Sequence, residues 1–304
     1  MKIIPYRNLP CKNDLLPLMD HAFGWPFNPR RFDQFLAVDP RLKFSSAGFC
    51  AVEDEHVVGF VGVMDMATKN VKSDLEHVGG IYGVATLPGY TRRGICSALM
   101  EHAHQYFSEK GYRFSLLTTS HSLVAHALYE KLGYVDLFER KTAYKNLEKR
   151  KRKVSKSKTS KLDFDKMLKI YDSYVQDKTG FVVRNENYLK MLKKAGDLAA
   201  KNCLATDKGY VVFREERGGI WIRELIALDN VEMDKLVNEV EEKAKDLILD
   251  RTIFDEALLK IYKRRGYVIH GRSHGVIMMK PLVDNFSFKQ TYGDKFYISN
   301  LDLF

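Results

Sequence analysis

Residues 79 to 133 restrict the fold of this chain more than any other stretch. Gly79-Gly80-Ile81-Tyr82-Gly83-Val84-Ala85-Thr86-Leu87-Pro88 reads as a buried strand. Gly89-Tyr90-Thr91-Arg92-Arg93-Gly94-Ile95-Cys96 reads as a turn that enters a helix over Ser97 to Lys110. A second strand is predicted over Arg113 to Thr119. A second helix closes on Ala127-Leu128-Tyr129-Glu130-Lys131-Leu132-Gly133-Tyr134. Strand, basic turn, helix, strand, helix is the order of an α/β unit. A helix start after such a turn presents free backbone N–H groups and the positive end of the helix dipole. That is a ready site for a pyrophosphate, and Arg92 and Arg93 add charge where its oxygens would lie.

The two halves of this unit resemble the acyl-CoA-binding core of the GNAT acetyltransferase superfamily. The family carries Gln/Arg-x-x-Gly-x-Gly/Ala after a strand and a helix-borne Tyr-Glu-Lys-Leu-Gly-Phe further on. Here the first pattern is Thr91-Arg92-Arg93-Gly94-Ile95-Cys96, with Thr91 and Cys96 departing from it. The second pattern matches from Tyr129 to Gly133, and Tyr134 replaces Phe. The resemblance implies that acetyl-CoA is the cosubstrate and that Thr91, Arg92, Arg93, Gly94, Ile95, Cys96 and Ser97 hold its pyrophosphate. It further implies that Val84, Ala85 and Thr86 pair with the pantetheine amides. Ser122 lies where relatives carry an Asn beside the cofactor. Tyr129 is the implied proton donor to the leaving thiolate, since a phenol of pKa near ~10 stays protonated at neutral pH.

A chain of 304 residues suggests about two domains, and a faint internal copy supports this. Arg217-Gly218-Gly219-Ile220-Trp221 parallels Gly79-Gly80-Ile81-Tyr82, and Ile261-Tyr262-Lys263-Arg264-Arg265-Gly266-Tyr267-Val268 parallels Leu128 to Val135. The copy has no Arg-Arg-Gly turn. Its strand Glu224 to Leu228 passes to Asp229-Asn230 and a helix predicted over Val231 to Leu249. Asp229 before that helix and Glu232, Asp234, Glu239, Glu241 and Glu242 on it would repel a pyrophosphate. The expected fold is therefore α/β (α+β), with tandem GNAT-like domains, each a central mixed sheet flanked by helices, and the second degenerate. The expected division is 1–146 for the catalytic domain, 147–162 for a basic linker, 163–282 for the degenerate domain and 283–304 for a docked tail.

Tandem domains with one functional copy are similar to the enhanced-intracellular-survival (Eis) acetyltransferases. Val84-Ala85-Thr86-Leu87-Pro88 followed by Arg92-Arg93-Gly94 resembles their cofactor turn. Thr179-Gly180-Phe181-Val182-Val183-Arg184-Asn185-Glu186-Asn187-Tyr188 resembles their entry into the second domain, with Leu189 where a Trp is usual. The resemblance ends near residue 282, where Eis proteins continue into a sterol-carrier-like domain. It implies an amine-bearing acceptor, either aminoglycoside-like or a lysine side chain, and it implies self-association. It also implies a catalytic base in the carboxylate of a terminal Phe, here Phe304, on an aromatic tail.

Elsewhere Lys2 to Arg7 reads as a first strand. Asp14 to Ala22 and Asn28 to Ala37 read as two short helices around Gly24-Trp25-Pro26-Phe27. In the GNAT fold such a pair borders the acceptor pocket, so Trp25, Phe27 and Phe35 either line it or pack in the core. Gly48 to Glu53 and Val57 to Met64 read as a hairpin joined by Asp54-Glu55-His56. After the core, Val135 to Phe138 and Lys141 to Lys145 are expected to complete the first sheet.

The net charge of +10 is concentrated in Lys145 to Lys161, a block with no aromatic residue. It reads as a solvated linker or as a polyanion patch. Four scattered cysteines, Cys11, Cys50, Cys96 and Cys203, form no C-x-x-C pair, so neither a zinc framework nor a disulfide one is indicated. No metal is expected. With no signal-peptide pattern and no apolar run of about 20 residues, a cytoplasmic protein without a membrane partner is expected.

Acetyl transfer also requires a neutral amine. An alkylamine of pKa around 10.4 costs roughly 4–5 kcal/mol to deprotonate at pH 7. The Phe304 carboxylate, Asp65, His77 and His121 are the candidate bases. The competing reading is a noncatalytic module that senses CoA or binds a polyanion through the basic block, and a nucleic-acid partner is the less expected of these.

Overall fold

The computed structural model describes residues 1–24, 26–139, 141–147, 162–216, 218–253, 255–271, 275–284 and 286–303. The chain divides into two compact units, one of residues 1–137 with 277–291, the other of residues 138–276 with 292–304. The unit boundaries therefore do not follow the expected division at 146 and 163. Most of the basic block falls at 148–161 and lies outside the described residues, as do Trp25 and Phe304.

The first unit opens with strand β1 (Lys2–Pro5), the helices α1 (Leu15–Phe23) and α2 (Pro29–Leu36), and the strands β2 (Gly48–Glu53), β3 (His56–Lys69) and β4 (Leu75–Thr86). Helix α3 (Ile95–Glu109), strand β5 (Phe114–Thr119), helix α4 (Val124–Lys131) and strand β6 (Val135–Glu139) follow. Asn28 caps α2 by accepting a hydrogen bond from the Arg31 amide, with Pro29 in the first turn. The β2–β3 connection is a tight turn in which Asp54 and Glu55 both adopt positive φ, +49° and +66°, the conformation that matches strand twist in a hairpin. On α3, Ile95, Leu99, Met100, Ala103, His104 and Phe107 are buried. Their spacing puts them on one face, and that face covers the apolar strands β2, β3 and β4.

The second unit begins with strand β7 (Lys141–Asn146) and continues through α5 (Phe164–Val175), α6 (Glu186–Ala195), β8 (Cys203–Ala205), β9 (Gly209–Glu216) and β10 (Gly219–Ala227). It goes on with α7 (Asn230–Lys243), β11 (Leu247–Ile253), α8 (Glu256–Arg264) and β12 (Val268–His270). The chain then gives β13 (Val276–Pro281) and the short α9 (Phe288–Tyr292). Helix α7 stops earlier than expected, and Leu247–Ile253 is a strand. Its backbone pairs parallel to β10 from Leu247 opposite Gly219, so the segment's apolar residues serve a sheet and not a helix face.

The sheet orders hold the main difference from expectation. The first sheet runs β1-β2-β3-β4-β5-β13-β6 and the second β12-β7-β11-β10-β9-β8. Strand β7, expected to finish the first sheet, lies in the second, where Tyr144 faces Leu249 on one side and Val268 on the other. Strand β13 takes the matching place in the first sheet, between β5 and β6. Each sheet thus contains one strand from the other half of the sequence.

The tail is docked within the second unit. Arg184 donates to Glu224 at 2.8 and 2.6 Å and to Asp302 at 3.1, 2.9 and 3.0 Å. The three side chains are essentially without solvent contact. Tyr188 Oη donates to Asp302 at 2.8 Å and Tyr210 Oη to Glu224 at 2.9 Å, so the buried charges are paired and hydrogen-bonded. Among the described residues, no helix is long and apolar enough to cross a membrane.

Candidate active site

Strands β4 and β5 run parallel but pair at only two positions, Gly79 with Ser115 and Gly80 with Leu116. Beyond these, residues 81–86 and 117–119 have no partner in each other, so the strands diverge and open a slot in the sheet. The register of β4 against β3 shifts at the same level. Phe60 faces Ala85 while Gly62 faces Tyr82, leaving Val61 opposite two residues, Gly83 and Val84. This is a β-bulge. Gly83 adopts φ +59°, which glycine reaches without steric cost. The bulge takes Gly83 and Val84 out of register with β3, while Ala85 and Thr86 pair with Phe60 and Gly59 and have no partner on the β5 side at the mouth of the slot. The Thr86 hydroxyl is buried with no hydrogen-bond partner among the described residues, an exception that calls for a ligand or a water.

The basic turn sits at the end of β4. Thr91 Oγ1 donates to the Pro88 carbonyl at 2.9 Å and braces the turn. Arg92 has φ +59° and Gly94 φ +77°. Left-handed residues flanking Arg93 form a concave run of N–H groups that suits an anion. Gly94 is the N-cap of α3 and supplies no side-chain cap. The first helical bond runs from the Ala98 amide to the Gly94 carbonyl at 3.0 Å, so the amides of Ile95, Cys96 and Ser97 have no acceptor within the helix.

Arg93 donates to Glu53 at 2.5 Å and lies over the Tyr90 ring at 5.1 Å. An exposed pair of this kind is worth about 0–1 kcal/mol and exchanges readily for a phosphate. The Arg92 side chain is exposed. The Ile95 side chain is buried in the core, which leaves only its backbone for a ligand. Burial pushes the Cys96 thiol up to about 11, so it is a small neutral group at neutral pH.

Helix α4 begins at Val124 after Leu123, also without a side-chain cap, and carries Tyr129. The Tyr129 ring is buried, and its pKa is raised by that burial and then by the neighbouring Cys96. The phenol therefore keeps its proton at neutral pH. Its hydroxyl makes no hydrogen bond to any described residue. Its ring packs edge-on to Tyr134, centroids 6.0 Å apart. The Tyr134 hydroxyl is satisfied by Ser115 Oγ at 2.7 Å and His104 Nε2 at 2.9 Å. Those buried partners explain how a Tyr replaces the expected Phe at no unsatisfied cost. Ser122 is exposed and shares a hydrogen bond with Ser120 at 2.8 Å.

Among the candidate bases, His77 Nδ1 lies 2.6 Å from Asp65 Oδ1. The pair sits at the closed end of the slot, since Asp65 faces Gly79 and His77 precedes it. At about 3.3 Å per residue, His77 is roughly 23 Å from Val84 along the strand, too far to serve chemistry there. His121 is engaged by Asp136 at 2.6 Å. Phe304 lies outside the described residues. The bulge at Gly83, the splay, the orphan Thr86 hydroxyl and the cluster His121–His126–Asp136 were not foreseen from sequence. Only the glycine inside the strand was a local signal.

The second unit shows the same elements closed. Asp229 caps α7 by accepting from the Glu232 amide at 2.8 Å, where α3 begins on an uncapped glycine. Tyr262 stands where the first half has Tyr129, and its hydroxyl donates to Asp250 at 2.9 Å. Strand β10 pairs with β11 at four consecutive positions, Gly219 to Ile222.

Residues 12–134 match the acetyltransferase (GNAT) family. Among solved structures, a GCN5-related N-acetyltransferase from Kribbella flavida is 19% identical, with a TM-score of 0.65, covering 92% of this chain and 72% of that one. A probable N-acyltransferase from Enterococcus faecalis V583 is 16% identical with a TM-score of 0.63 and the same coverages, 92% and 72%. Eis1 from Mycobacterium abscessus is 17% identical with a TM-score of 0.55, covering 83% of this chain and 70% of that one. At these identities the likeness establishes the fold. No curated protein sequence matches the chain.

Proposed function

From the GNAT acetyltransferase match over residues 12–134, we propose that the first unit transfers an acetyl group from acetyl-CoA to a primary amine. The observation that carries this reading is the open slot between β4 and β5, which ends at an uncapped helix start. Pantetheine is an extended chain with two amides, and it adds to the exposed edge of β4 as a strand would. Backbone groups of Val84, Ala85 and Thr86 meet those amides. The pyrophosphate lies on the N–H groups of Arg92 to Ser97, with Arg92 free to pair with it and Thr91 and Cys96 shaping the turn. Ser122, in the loop before α4, is assigned a contact with the cofactor on the strength of the family resemblance alone.

In the reaction, a neutral amine attacks the thioester carbonyl, the C–S bond breaks and the sulfur takes the electron pair. Tyr129 donates its proton to that sulfur. Its phenol holds its proton at neutral pH, so the proton is available to the sulfur when the thiolate leaves. The ammonium proton of the attacking amine goes to a base, for which the proposal names the Phe304 carboxylate. The acceptor is an aminoglycoside-like amine or a lysine side chain. The second unit, with its helix start filled by Asp229, binds no cofactor and serves as scaffold.

The test is thiol release from acetyl-CoA over an amine panel, run on the wild type and on Tyr129→Phe. Turnover in the variant should fall by about 10²–10⁴, with acetyl-CoA affinity within about twofold. Unchanged turnover removes Tyr129 from the mechanism. Absence of acetyl-CoA binding to the wild type removes the transferase reading altogether.

A further inference from the structure

We propose that His121, His126 and Asp136 form a binding site for a late first-row divalent metal ion, zinc being the best fit. The three residues come from three places in the first unit: the loop after β5, the first turn of α4, and β6. Both imidazoles aim Nε2 at the same carboxylate, one at each oxygen. His121 Nε2 lies 2.6 Å from Asp136 Oδ2 and His126 Nε2 lies 2.9 Å from Asp136 Oδ1. All three ligand atoms fall within 4.8 Å of one another. Tetrahedral coordination at about 2.0–2.1 Å sets donor atoms about 3.3 Å apart, so small side-chain rotations suffice to seat an ion among them. Two imidazoles and a carboxylate are donors that suit zinc.

The other nitrogen of His126 gives the independent support. His126 Nδ1 lies 3.6 Å from Glu130 Oε2, one turn along α4. When a metal takes Nε2, a neutral imidazole must carry its proton on Nδ1, and the Glu130 carboxylate, half-exposed at 3.6 Å, closes to hydrogen-bond distance by a side-chain rotation. A carboxylate behind a ligating histidine fixes the tautomer and raises the ligand's basicity. Access is also suited to an ion. The His126 side chain is only 12% exposed, while those of His121 and Asp136 are 48% and 40% exposed. One ligand is held firmly and the other two leave an entry side and a coordination position open to solvent. A metal here joins the loop, the helix and the strand, and so pins α4, the helix that bears Tyr129.

The experiment uses the untagged full chain, stripped with chelator. Zinc is titrated calorimetrically, and Co²⁺ is titrated as a visible-absorbance probe. The expected result is one ion per chain, the intense visible bands of low-coordinate Co²⁺, and a higher melting temperature with zinc than with chelator. Asp136→Asn and His126→Ala should each weaken binding by at least about tenfold. His121→Ala, altering a half-exposed side chain, does the same without touching the core and serves if the others fail to fold. His56→Ala, at an exposed hairpin histidine, should bind as the wild type does. The proposal is overturned if zinc shows no saturable binding at millimolar concentration, or if His121→Ala binds it as tightly as the wild type. None of these readouts depends on transferase activity.

Discussion

Gly94 separates backbone strain from charge at the proposed pyrophosphate site. The residue has φ +77°, and a Cβ built on it meets no atom within 4 Å. Gly94→Ala therefore brings no clash, only the left-handed penalty of about 1–2 kcal/mol, confined to the turn. Gly94→Glu carries the same penalty plus a carboxylate about 5 Å from where the phosphates would lie. Each like-charge pair at about 5 Å costs about 0.8 kcal/mol in water and about 3 kcal/mol at an effective dielectric of 20. Gly94 is exposed, so the lower figure applies. Two phosphate charges then give about 2 kcal/mol, or roughly 30-fold in affinity. Calorimetric titration of acetyl-CoA into both variants should show that difference, and it should shrink at high salt. Gly94→Glu binding within about threefold of Gly94→Ala would refute placement of the pyrophosphate on this turn.

Other expectations follow from buried groups. Arg184→Met leaves Glu224 and Asp302 buried without a cation and should destabilise the second unit by about 3–5 kcal/mol in urea melts. Asp302→Asn removes the surplus negative charge of that triad and should cost about 1 kcal/mol or less; equal losses for the two variants would refute the electrostatic account. Burial, and then the Lys280 charge, lower His104 to about 4. Between pH 6.5 and about 4 the unfolded chain thus binds a proton that the folded state refuses, and stability falls by about 3 kcal/mol as pH drops through that window. His104→Gln should flatten this slope, and parallel pH curves for variant and wild type would count against it.

Local chemistry made much of the fold legible. Strand periodicity, the Asp54-Glu55 turn, the Asn28-Pro29 helix start and the order of elements from β4 to α4 are properties of short segments, and the structure reproduces them with small shifts at the ends. The basic turn was legible for the same reason, because Arg92, Arg93 and Gly94 are contiguous. The helix start after Asp229 was readable as well: Asp229 accepts from its own first-turn amide, an interaction that spans only a few residues.

What only the tertiary structure decided concerns partners distant in sequence. Nothing in Lys141–Asn146 or Val276–Pro281 says which sheet each strand joins, because backbone hydrogen bonding is blind to sequence and both sheets offer an equivalent gap. The slot is likewise a failure of pairing between β4 and β5 beyond Gly80 and Leu116, and no single strand encodes a gap. The convergence of His121, His126 and Asp136 depends on the angle at which α4 meets β6, which side-chain packing sets. The chain's own sequence determined which local elements form and which turn carries the basic residues. The tertiary structure decided which strands share a sheet, where the sheet opens and which polar groups meet, since each of these is a balance of contacts between segments far apart in the chain.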